Sequence, residues 1–168
     1  DQTWILNPVP DFSYGLNVSL GYKGFDFTMF WQGVQGVEVY NNQKFQTDFW
    51  SLTDAGSNKG SRLLDAWTTD NTSSMIPALT TNNTGDEGRR STYFVENGSY
   101  LKLRDLSIGY SLPTKVLEKA KITKTRFYVS GHNLLTLKSK SLTCKDPENP
   151  NWAYPLATSV TFGVQIGF

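Results

Sequence analysis

Apolar and polar side chains alternate along five stretches of this chain, which is the pattern of β-strands rather than of helices. In the clearest stretch, Phe12–Tyr22, every second residue is apolar or aromatic, and the residues between are serine, glycine and asparagine. The same alternation predicts further strands over 25–33, 100–112, 125–137 and 159–168. Only Lys23-Gly24 separates the first two strands, and this pair favours a tight hairpin because glycine readily adopts positive φ. The pattern predicts an all-β chain of five antiparallel strands.

The two faces of these strands differ in a way that points to a membrane. The polar faces carry small uncharged residues, whereas the outer face of a soluble sheet usually carries lysine and glutamate. A strand of about eleven residues, tilted by roughly 40°, spans about 25–28 Å, which is close to the hydrocarbon thickness. We expect the apolar faces to meet lipid and the polar faces to meet a wet lumen. The residues expected to point outward are Leu16, Val18, Phe27, Met29, Ile108, Val164 and Ile166, and those expected to point inward are Asn17, Ser19, Thr28, Ser107 and Gln165.

Lys102 and Arg104 do not fit this rule if the third strand alternates without interruption. Both have the same parity as Leu106, so strict alternation places two cations on the apolar face. We therefore expect both to stand above the hydrocarbon.

Short and long connections alternate, which is typical of outer-membrane barrels with short periplasmic turns and long extracellular loops. The tight hairpin is followed by a very long connection, then by a short one with a helix predicted at 113–121, which Pro113 opens at its first position. The predicted organisation is an extracellular remnant at 1–11, a strand hairpin at 12–33, a long extracellular loop at 34–99, strands with the periplasmic helical turn at 100–137, an extracellular loop at 138–157 and the last barrel strand at 158–168.

Aromatic residues recur at the strand ends that this topology assigns to the periplasmic side. We expect them to form one girdle at that membrane interface, because aromatic rings favour the level of the headgroups. The girdle residues are Tyr22, Phe25, Tyr110 and Phe127, with Phe168 at the end of the last strand.

Composition narrows the function classes further. The net charge of the 168 residues is only +1, which gives no reason to expect nucleic acid as a partner. Cys144 is the only cysteine and His132 the only histidine, so the chain contains neither an internal disulfide nor a cysteine-based zinc site. A general base needs an orienting partner and a nucleophile, and no second histidine is present to complete a metal site with His132. We expect no enzyme activity, no metal site and no cofactor, a structural role for His132 and an inert Cys144.

Three tryptophans in the long connections are candidates for contact with a ligand or partner, because aromatic faces stack on sugar rings. They are Trp50, Trp67 and Trp152. For Trp67 we favour packing within the loop, in a short helix over SRLLDAW whose spacing brings Leu63, Leu64 and Trp67 together. For Trp50 and Trp152 both interpretations stay open.

Five strands cannot close a barrel, because unpaired strand edges are not tolerated in lipid. The chain is therefore expected to be part of a larger protein. Two other classes stay open at this point: a soluble aromatic-rich β-sandwich that binds carbohydrate, and a surface barrel or adhesin that transports nothing.

Four segments, in this order and spacing, resemble the C-terminal end of the SusC/RagA-type TonB-dependent outer-membrane transporters. They are GYKGFDFTMFWQGVQG, SYLKLRDLSIGYSLP, RFYVSGHNLLTL and DPENPNWAYPLATSVTFGVQIGF. The resemblance implies the last five strands of a 22-stranded barrel around an N-terminal plug. It also implies the outer membrane of a Gram-negative, Bacteroidetes-like bacterium, with the C-terminus at the periplasmic face.

The resemblance implies partners as well. A SusD-like surface lipoprotein pairs with the transporter, and TonB, acting through an N-terminal part outside this chain, energises import of oligosaccharides or peptides. The alternating C-terminal residues Phe162, Val164, Ile166 and Phe168 resemble the signal read by the barrel-assembly machinery. His132 and Thr158 depart from residues common in the family, and neither departure touches the architecture.

Overall fold

A five-stranded antiparallel sheet dominates the computed structural model, which describes residues 4–44, 47–48, 58–80, 89–118, 122–150 and 154–168. In chain order the strands are β1 (Phe12–Tyr22), β2 (Phe25–Gln35), β3 (Glu38–Tyr40), β4 (Val95–Asn97), β5 (Tyr100–Ser111), β6 (Lys124–Lys138) and β7 (Ser159–Gly167). The large sheet has the order β1-β2-β5-β6-β7, and β3 pairs with β4 in a small second sheet. The five predicted strands are confirmed with bounds shifted by at most two residues, whereas the alternation did not predict β3 and β4.

The helical elements are short. They are α1 (Asn42–Lys44), α2 (Thr114–Leu117) and two 3₁₀ helices, Ser61–Asp65 and Thr92–Phe94. In the described part of the chain, none of the helices has the length and apolar character needed to cross a membrane.

The turn between β1 and β2 has the predicted geometry. Lys23 and Gly24 have φ values of 47° and 87°, and Tyr22 pairs directly with Phe25. Two consecutive residues with positive φ give the two-residue turn whose twist matches that of the flanking strands. The hairpin prediction is confirmed.

The helix after β5 begins one residue later than predicted. Pro113 has an extended ψ of 141° and precedes the helix, and its carbonyl oxygen accepts a hydrogen bond from the Val116 amide at 3.0 Å. Pro113 is therefore the N-cap of α2 rather than its first helical residue, because an N-cap has extended backbone while its carbonyl already accepts the first helical bond. Residues 119–121 of the predicted helix lie outside the described residues.

Strand register gathers the apolar residues on one face of the large sheet, which we call the apolar face. Leu16 pairs with Trp31, Phe27 with Ile108, and Val129 with Phe162. Side chains of this face are largely exposed: Leu16 is 54% exposed and Phe162 77% exposed. Since the only other sheet in the described residues is the short β3-β4 pair, nothing there supports the second layer of a soluble β-sandwich.

A β-bulge in β5 corrects the expectation for Lys102 and Arg104. Between β2 and β5 the register shifts after Phe30, which pairs with Asp105, so that Trp31 pairs with Leu103. Arg104 is the extra residue, and the shift moves Leu101 and Leu103 onto the apolar face. Lys102 and Arg104 therefore project from the opposite face, which we call the polar face, where Lys102 pairs with Gln32. Placing these cations on the apolar side was wrong because strict alternation ignores the inserted residue.

The buried core lies in the connections rather than under the sheet. Leu63, Ala66 and Ile76 form one apolar cluster, and Phe94, Leu142 and Cys144 are also buried. The predicted SRLLDAW helix is a 3₁₀ helix, in which Leu63 is buried but Leu64 is 94% exposed. The expected packing of Leu64 was wrong, because the tighter 3₁₀ helix turns consecutive residues further apart around its axis than an α-helix does.

Candidate functional site

The polar face carries an uninterrupted row of hydroxyl groups. Each residue of the row is the register partner of the next, so the row crosses all five strands of the sheet. Its members are Ser19, Thr28, Ser107, Ser130 and Thr161. A wall of small, uncharged hydrogen-bonding groups suits contact with water or with another polar surface.

An ion pair bridges three strands of the polar face near the β1-β2 hairpin. Arg126 on β6 donates from Nε to Asp26 Oδ1 on β2 at 2.9 Å. The intervening strand β5 carries Gly109 at this point, where a Cβ atom would meet Asp26 Oδ1 at 2.5 Å and Arg126 Nε at 2.6 Å. The pair forms because Gly109 has no side chain.

His132 lies on the same face as a partner of Asp105. The two residues pair across β5 and β6, and His132 Nδ1 lies 2.5 Å from Asp105 Oδ1, with both side chains more than half exposed. In the described part of the chain, no three histidine, cysteine, aspartate or glutamate side chains lie together as a metal site. The contact with Asp105 supports a polar structural role for His132.

At the other end of the polar face, β5 holds the connection between β6 and β7. Lys102 Nζ donates to Asp146 Oδ1 at 2.8 Å and to Glu148 Oε2 at 2.6 Å. The Tyr100 hydroxyl donates to Glu148 Oε1 at 2.7 Å, and Arg104 forms an ion pair with the same carboxylate. Lys102 is only 2% exposed, so its charge is neutralised within this cluster.

Both carboxylates of this cluster are held in the charged form. Burial alone would raise the pKa of Asp146, but hydrogen bonds from Lys102 and from the amides of Glu148 and Leu156 hold this pKa below its ordinary value. Burial opposes ionisation of Glu148 too, and bonds from Lys102, Tyr100 and Arg104 lower its pKa. Donors aimed at a carboxylate favour the ionised form.

A second buried polar cluster joins the two long connections through Glu96. This carboxylate accepts from Asn41 Nδ2 at 2.9 Å, from the Thr143 amide at 2.9 Å and from the Thr143 hydroxyl at 2.8 Å, and it pairs with Lys44 at 2.9 Å. Burial would raise the pKa of Glu96, but these donors lower it. Glu96 therefore fastens 139–150 to the segment around α1.

Asp48 extends this second cluster. Its Oδ2 accepts from the Tyr93 hydroxyl at 2.7 Å and lies 3.3 Å from Arg62 Nη1. Burial, followed by the hydrogen bond to Asp48, raises the pKa of Tyr93 and keeps it a neutral donor. The connections thus have a hydrogen-bonded polar core, in which Arg62 Nη1 is buried beside Asp48 but has no hydrogen-bond partner among the described residues.

Cys144 lies between the two clusters and has the inert character expected of it. It is 1% exposed, and burial raises the pKa of its thiol. The thiol donates to the Asp146 carbonyl oxygen at 3.4 Å. A buried, protonated thiol is a poor nucleophile.

The tryptophan candidates are only partly placed by the structure. Trp67 follows the first 3₁₀ helix, its amide donates to the Ile76 carbonyl oxygen at 2.8 Å, and its side chain is 41% exposed. Trp50 and Trp152 lie outside the described residues. Packing explains only part of the Trp67 surface, so contact with a partner stays a prediction for it.

The girdle residues form one row of the apolar face. Tyr22 pairs with Phe25, Phe25 with Tyr110, and Tyr110 with Phe127. The rings of Phe25 and Tyr110 lie with centroids 4.5 Å apart. On β7 the partner of Phe127 is Val164, and Phe168 lies beyond the end of the strand. The row is adjacent in space as expected, and its place at a membrane interface stays a prediction.

The remaining residues of the expected assembly signal belong to the same face. Phe162, Val164 and Ile166 are register partners of Val129, Phe127 and Thr125, and all three side chains are exposed. β7 pairs only with β6 in this sheet, so its other edge is open to another strand.

The exposure of some apolar residues in the connections was not predicted from the sequence. Leu64, close to Trp67, and Met75, next to the buried Ile76, are both almost fully exposed, as is Tyr154 before β7. Exposed apolar side chains mark a contact site only where they form a contiguous patch. Sequence reasoning missed them because a leucine at helical spacing, or a single methionine, carries no sign of its exposure.

No protein-family model matches the chain. A TonB-dependent receptor of Formosa agariphila is 37% identical over 136 residues, a match that covers 81% of the chain and 13% of the receptor. Another TonB-dependent receptor of this bacterium is 28% identical over 183 residues, covering 100% of the chain and 18% of the receptor. The chain thus spans less than a fifth of the length of these relatives.

Solved structures of a peptide importer match the fold of this chain. The RagAB peptide importer in its closed-closed state matches with a TM-score of 0.79 and 26% identity, over 97% of the chain and 18% of the larger chain. Its open-open state matches with a TM-score of 0.76 over the same shares. The five-stranded sheet therefore corresponds to part of a much larger chain, as its open edges require.

Proposed function

Because this chain is a barrel segment of a SusC/RagA-type TonB-dependent receptor, we propose that the whole protein imports a ligand through the outer membrane into the periplasm. The N-terminal part outside this chain would supply the plug and the contact with TonB. The chain itself would supply one side of the barrel wall and part of its ligand-side loops.

One observation carries this proposal: the sheet has an exposed apolar face and an opposite face that carries a row of hydroxyl groups and paired charges. The aromatic row and the residues around Ile108 suit contact with acyl chains, whereas the hydroxyl row through Ser107 suits a water-filled lumen. A soluble module would need to cover the apolar face. In a barrel wall the apolar face is free of other protein segments because lipid covers it.

We place the β1-β2 hairpin and α2 at the periplasmic side, with the long connections at the outer surface. The hairpin and α2 lie at the same end of the sheet, where Tyr22, Phe25 and Tyr110 begin the aromatic row. Short turns at one end and long connections at the other are the usual arrangement of outer-membrane barrels. In this orientation Phe168 reaches the periplasmic face.

The ligand class is a peptide or an oligosaccharide. The solved relatives are those of a peptide importer, while the receptors of Formosa agariphila carry no substrate in their names. Import is tested by deleting the gene and measuring uptake of fluorescent oligopeptides and oligosaccharides by intact cells. Loss of uptake of one class, restored by the gene, supports the proposal. Unchanged uptake of both classes in the deletion strain, with the barrel still abundant in the wild type, favours the non-transporting adhesin.

A SusD-like surface lipoprotein is the partner that we assign to the outer connections. Leu64, Trp67 and Met75 are exposed on the segment that carries the buried Leu63, Ala66 and Ile76 cluster, so a partner that covers them would bury apolar area on a folded support. The double variant Leu64→Asp and Met75→Asp should reduce co-purification of the lipoprotein several-fold. The exposed Val116 of α2 lies at the opposite end, so Val116→Asp is the matched control. Equal losses in both variants would count against this surface.

A further inference from the structure

The part of the β6-β7 connection around Asp146 and Glu148 does not extend away from the sheet but folds back over its polar face. Tyr100, Lys102 and Arg104 alternate with Leu101 and Leu103, which belong to the apolar face because they pair with Gly33 and Trp31. The three polar side chains therefore project from the polar face, and all three contact Glu148. Glu148 and the neighbouring Asp146 must lie above that face to be reached.

Two further contacts fix the ends of the same segment. On one side, Thr143 is held by Glu96, as described above. On the other, Asn133 Nδ2 donates to the Ala157 carbonyl oxygen at 3.3 Å, and the Thr158 hydroxyl donates to the Asn133 carbonyl oxygen at 2.9 Å. Asn133 has a φ of 51° and lies where the β5-β6 register shifts, so a backbone irregularity of the wall receives the returning chain.

The contacts that hold the segment are balanced in charge. Lys102 and Arg104 bring two positive charges, and Asp146 and Glu148 bring two negative ones. Arg104 is also fixed from the side, since its Nε donates to Gln32 Oε1 at 2.8 Å and its Nη1 to Asn133 Oδ1 at 3.2 Å. Removing one partner of a buried pair leaves an uncompensated charge, which strongly disfavours the closed arrangement.

We propose that the described parts of this connection, 139–150 and 154–158, form a fixed inward-folded part of the lumen wall at its outer mouth, and that Lys102 is the residue that positions them. This inference depends on the proposed function in one respect, since it takes the polar face of the sheet to line the lumen. The segment then narrows the ligand path beside β5 and β6 and presents a rigid surface to the ligand, instead of reaching outward to the lipoprotein.

Cys144 provides a native probe of this arrangement, because it is buried within the segment. In the full receptor in outer-membrane vesicles, Lys102→Met should raise the rate of alkylation of Cys144 by maleimide about tenfold or more, since the segment opens more often. Lys102→Arg, which keeps a donor for both carboxylates, should restore protection. Lys140→Met, at an exposed lysine of the same segment, is the control and should leave the rate unchanged. Mass spectrometry of the Cys144 peptide gives the rate, and heat-dependent gel mobility shows that each barrel is folded.

The inward position is tested by reagent size. In a Cys144→Ser background, Lys145→Cys on intact cells should react with a small maleimide but not with a polyethylene-glycol maleimide of several kilodaltons. Leu64→Cys in the same background should react with both reagents in cells that lack the partner lipoprotein, where this outer residue is uncovered, and both variants are compared in such cells. Equal access of the large reagent to both positions, or an unchanged Cys144 rate in Lys102→Met, would overturn the proposal. Neither readout uses ligand uptake, so failure of the import assay and failure of this inference are distinguishable.

Discussion

Arg126 on β6 reaches Asp26 on β2 across the whole width of β5, with Arg126 Nε 2.9 Å from Asp26 Oδ1. Such a contact between strands that are not neighbours needs a gap in the strand between them, and Gly109 provides it. The glycine is thus part of the ion pair without touching it through a side chain. The ion pair also links β2 to β6 independently of the backbone hydrogen bonds between strands.

Gly109→Ala should break this contact, because the new methyl group would occupy the space between the carboxylate and the guanidinium. The ion pair is only partly buried and remains in reach of solvent, so the expected loss is about 1 kcal/mol in the free energy of unfolding. Gly21 lies in the same register row, where a Cβ would meet nothing closer than the Phe25 carbonyl oxygen at 3.9 Å, so Gly21→Ala is the matched control. Heat-dependent gel mobility of the purified receptor measures both. If Gly109→Ala destabilises a receptor that already carries Asp26→Ala just as much as the wild type, the ion pair is not the reason.

Two neighbouring residues of β5 provide a sharp test of which face meets lipid. Ile108 belongs to the apolar face and Ser107 to the hydroxyl row of the polar face. Ile108→Arg should destabilise the receptor, since arginine must leave water for hydrocarbon. The cost should fall below the midplane value of about 2–4 kcal/mol, because Ile108 is the next outward-facing residue after Tyr110 of the aromatic row. Ser107→Arg should be mild, because the side chain enters a wet lumen. Urea unfolding of the receptor in lipid vesicles gives both losses of stability. A larger loss for Ser107→Arg than for Ile108→Arg would mean that the polar face meets lipid and the apolar face does not.

The five strands could be predicted because each side chain needs only its parity to be assigned to a face. Phe12–Tyr22 keeps that parity without exception, and Lys23-Gly24 marks the turn by its chemistry. Parity fails at Arg104, where one inserted residue moves the rest of the strand to the other register. Arg104 is not a residue type that marks a bulge, so the pairing of β2, β5 and β6 is needed to reveal the inserted residue.

The polar clusters of the connections could not be predicted for a different reason. Glu96 and Thr143 are 47 positions apart in the sequence, and Lys102 and Asp146 are 44 apart. Charged residues in long polar loops look like solvated residues, and their burial depends on contacts between separate loops. Leu64 shows the converse, since its apolar side chain is exposed by the local 3₁₀ geometry.

Acid should release these connections before it unfolds the sheet. Glu96, Asp146 and Glu148 all have pKa values lowered in the folded state, so the stability that they contribute is present above the ordinary carboxyl pKa of about 4. This stability is lost as the pH falls through the lowered pKa values of the folded state, because the three carboxylates bind protons more readily when the connections are open. Reaction of Cys144 with 4,4′-dithiodipyridine, which works in acid, should stay slow at pH 7 and pH 5 and become fast towards pH 3.

Asp70→Asn, at an exposed carboxylate, is the control for this acid response and should leave the profile unchanged. Glu96→Gln should make Cys144 reactive already at pH 7, since the amide cannot replace the charged partner of Lys44. A Cys144 reactivity that does not change between pH 7 and pH 3 would mean that the three carboxylates do not hold the segment.

Phe168 should serve assembly of the barrel and not binding of its ligand. Its side chain is 91% exposed beyond the end of β7, and Phe162, Val164 and Ile166 precede it at every second position. A strand with one free edge and alternating exposed side chains is suited to recognition by strand addition, in which backbone hydrogen bonds give affinity and pockets read every second residue. Deleting Phe168 should therefore lower the amount of folded receptor in the outer membrane. Receptors that do fold should keep their ligand affinity, because the residue lies at the opposite end of the sheet from the Lys102 cluster. Quantitative heat-dependent gel mobility of outer membranes measures the first, and ligand binding per folded molecule measures the second. An unchanged amount of folded receptor, or a weaker affinity per folded molecule, would contradict this role.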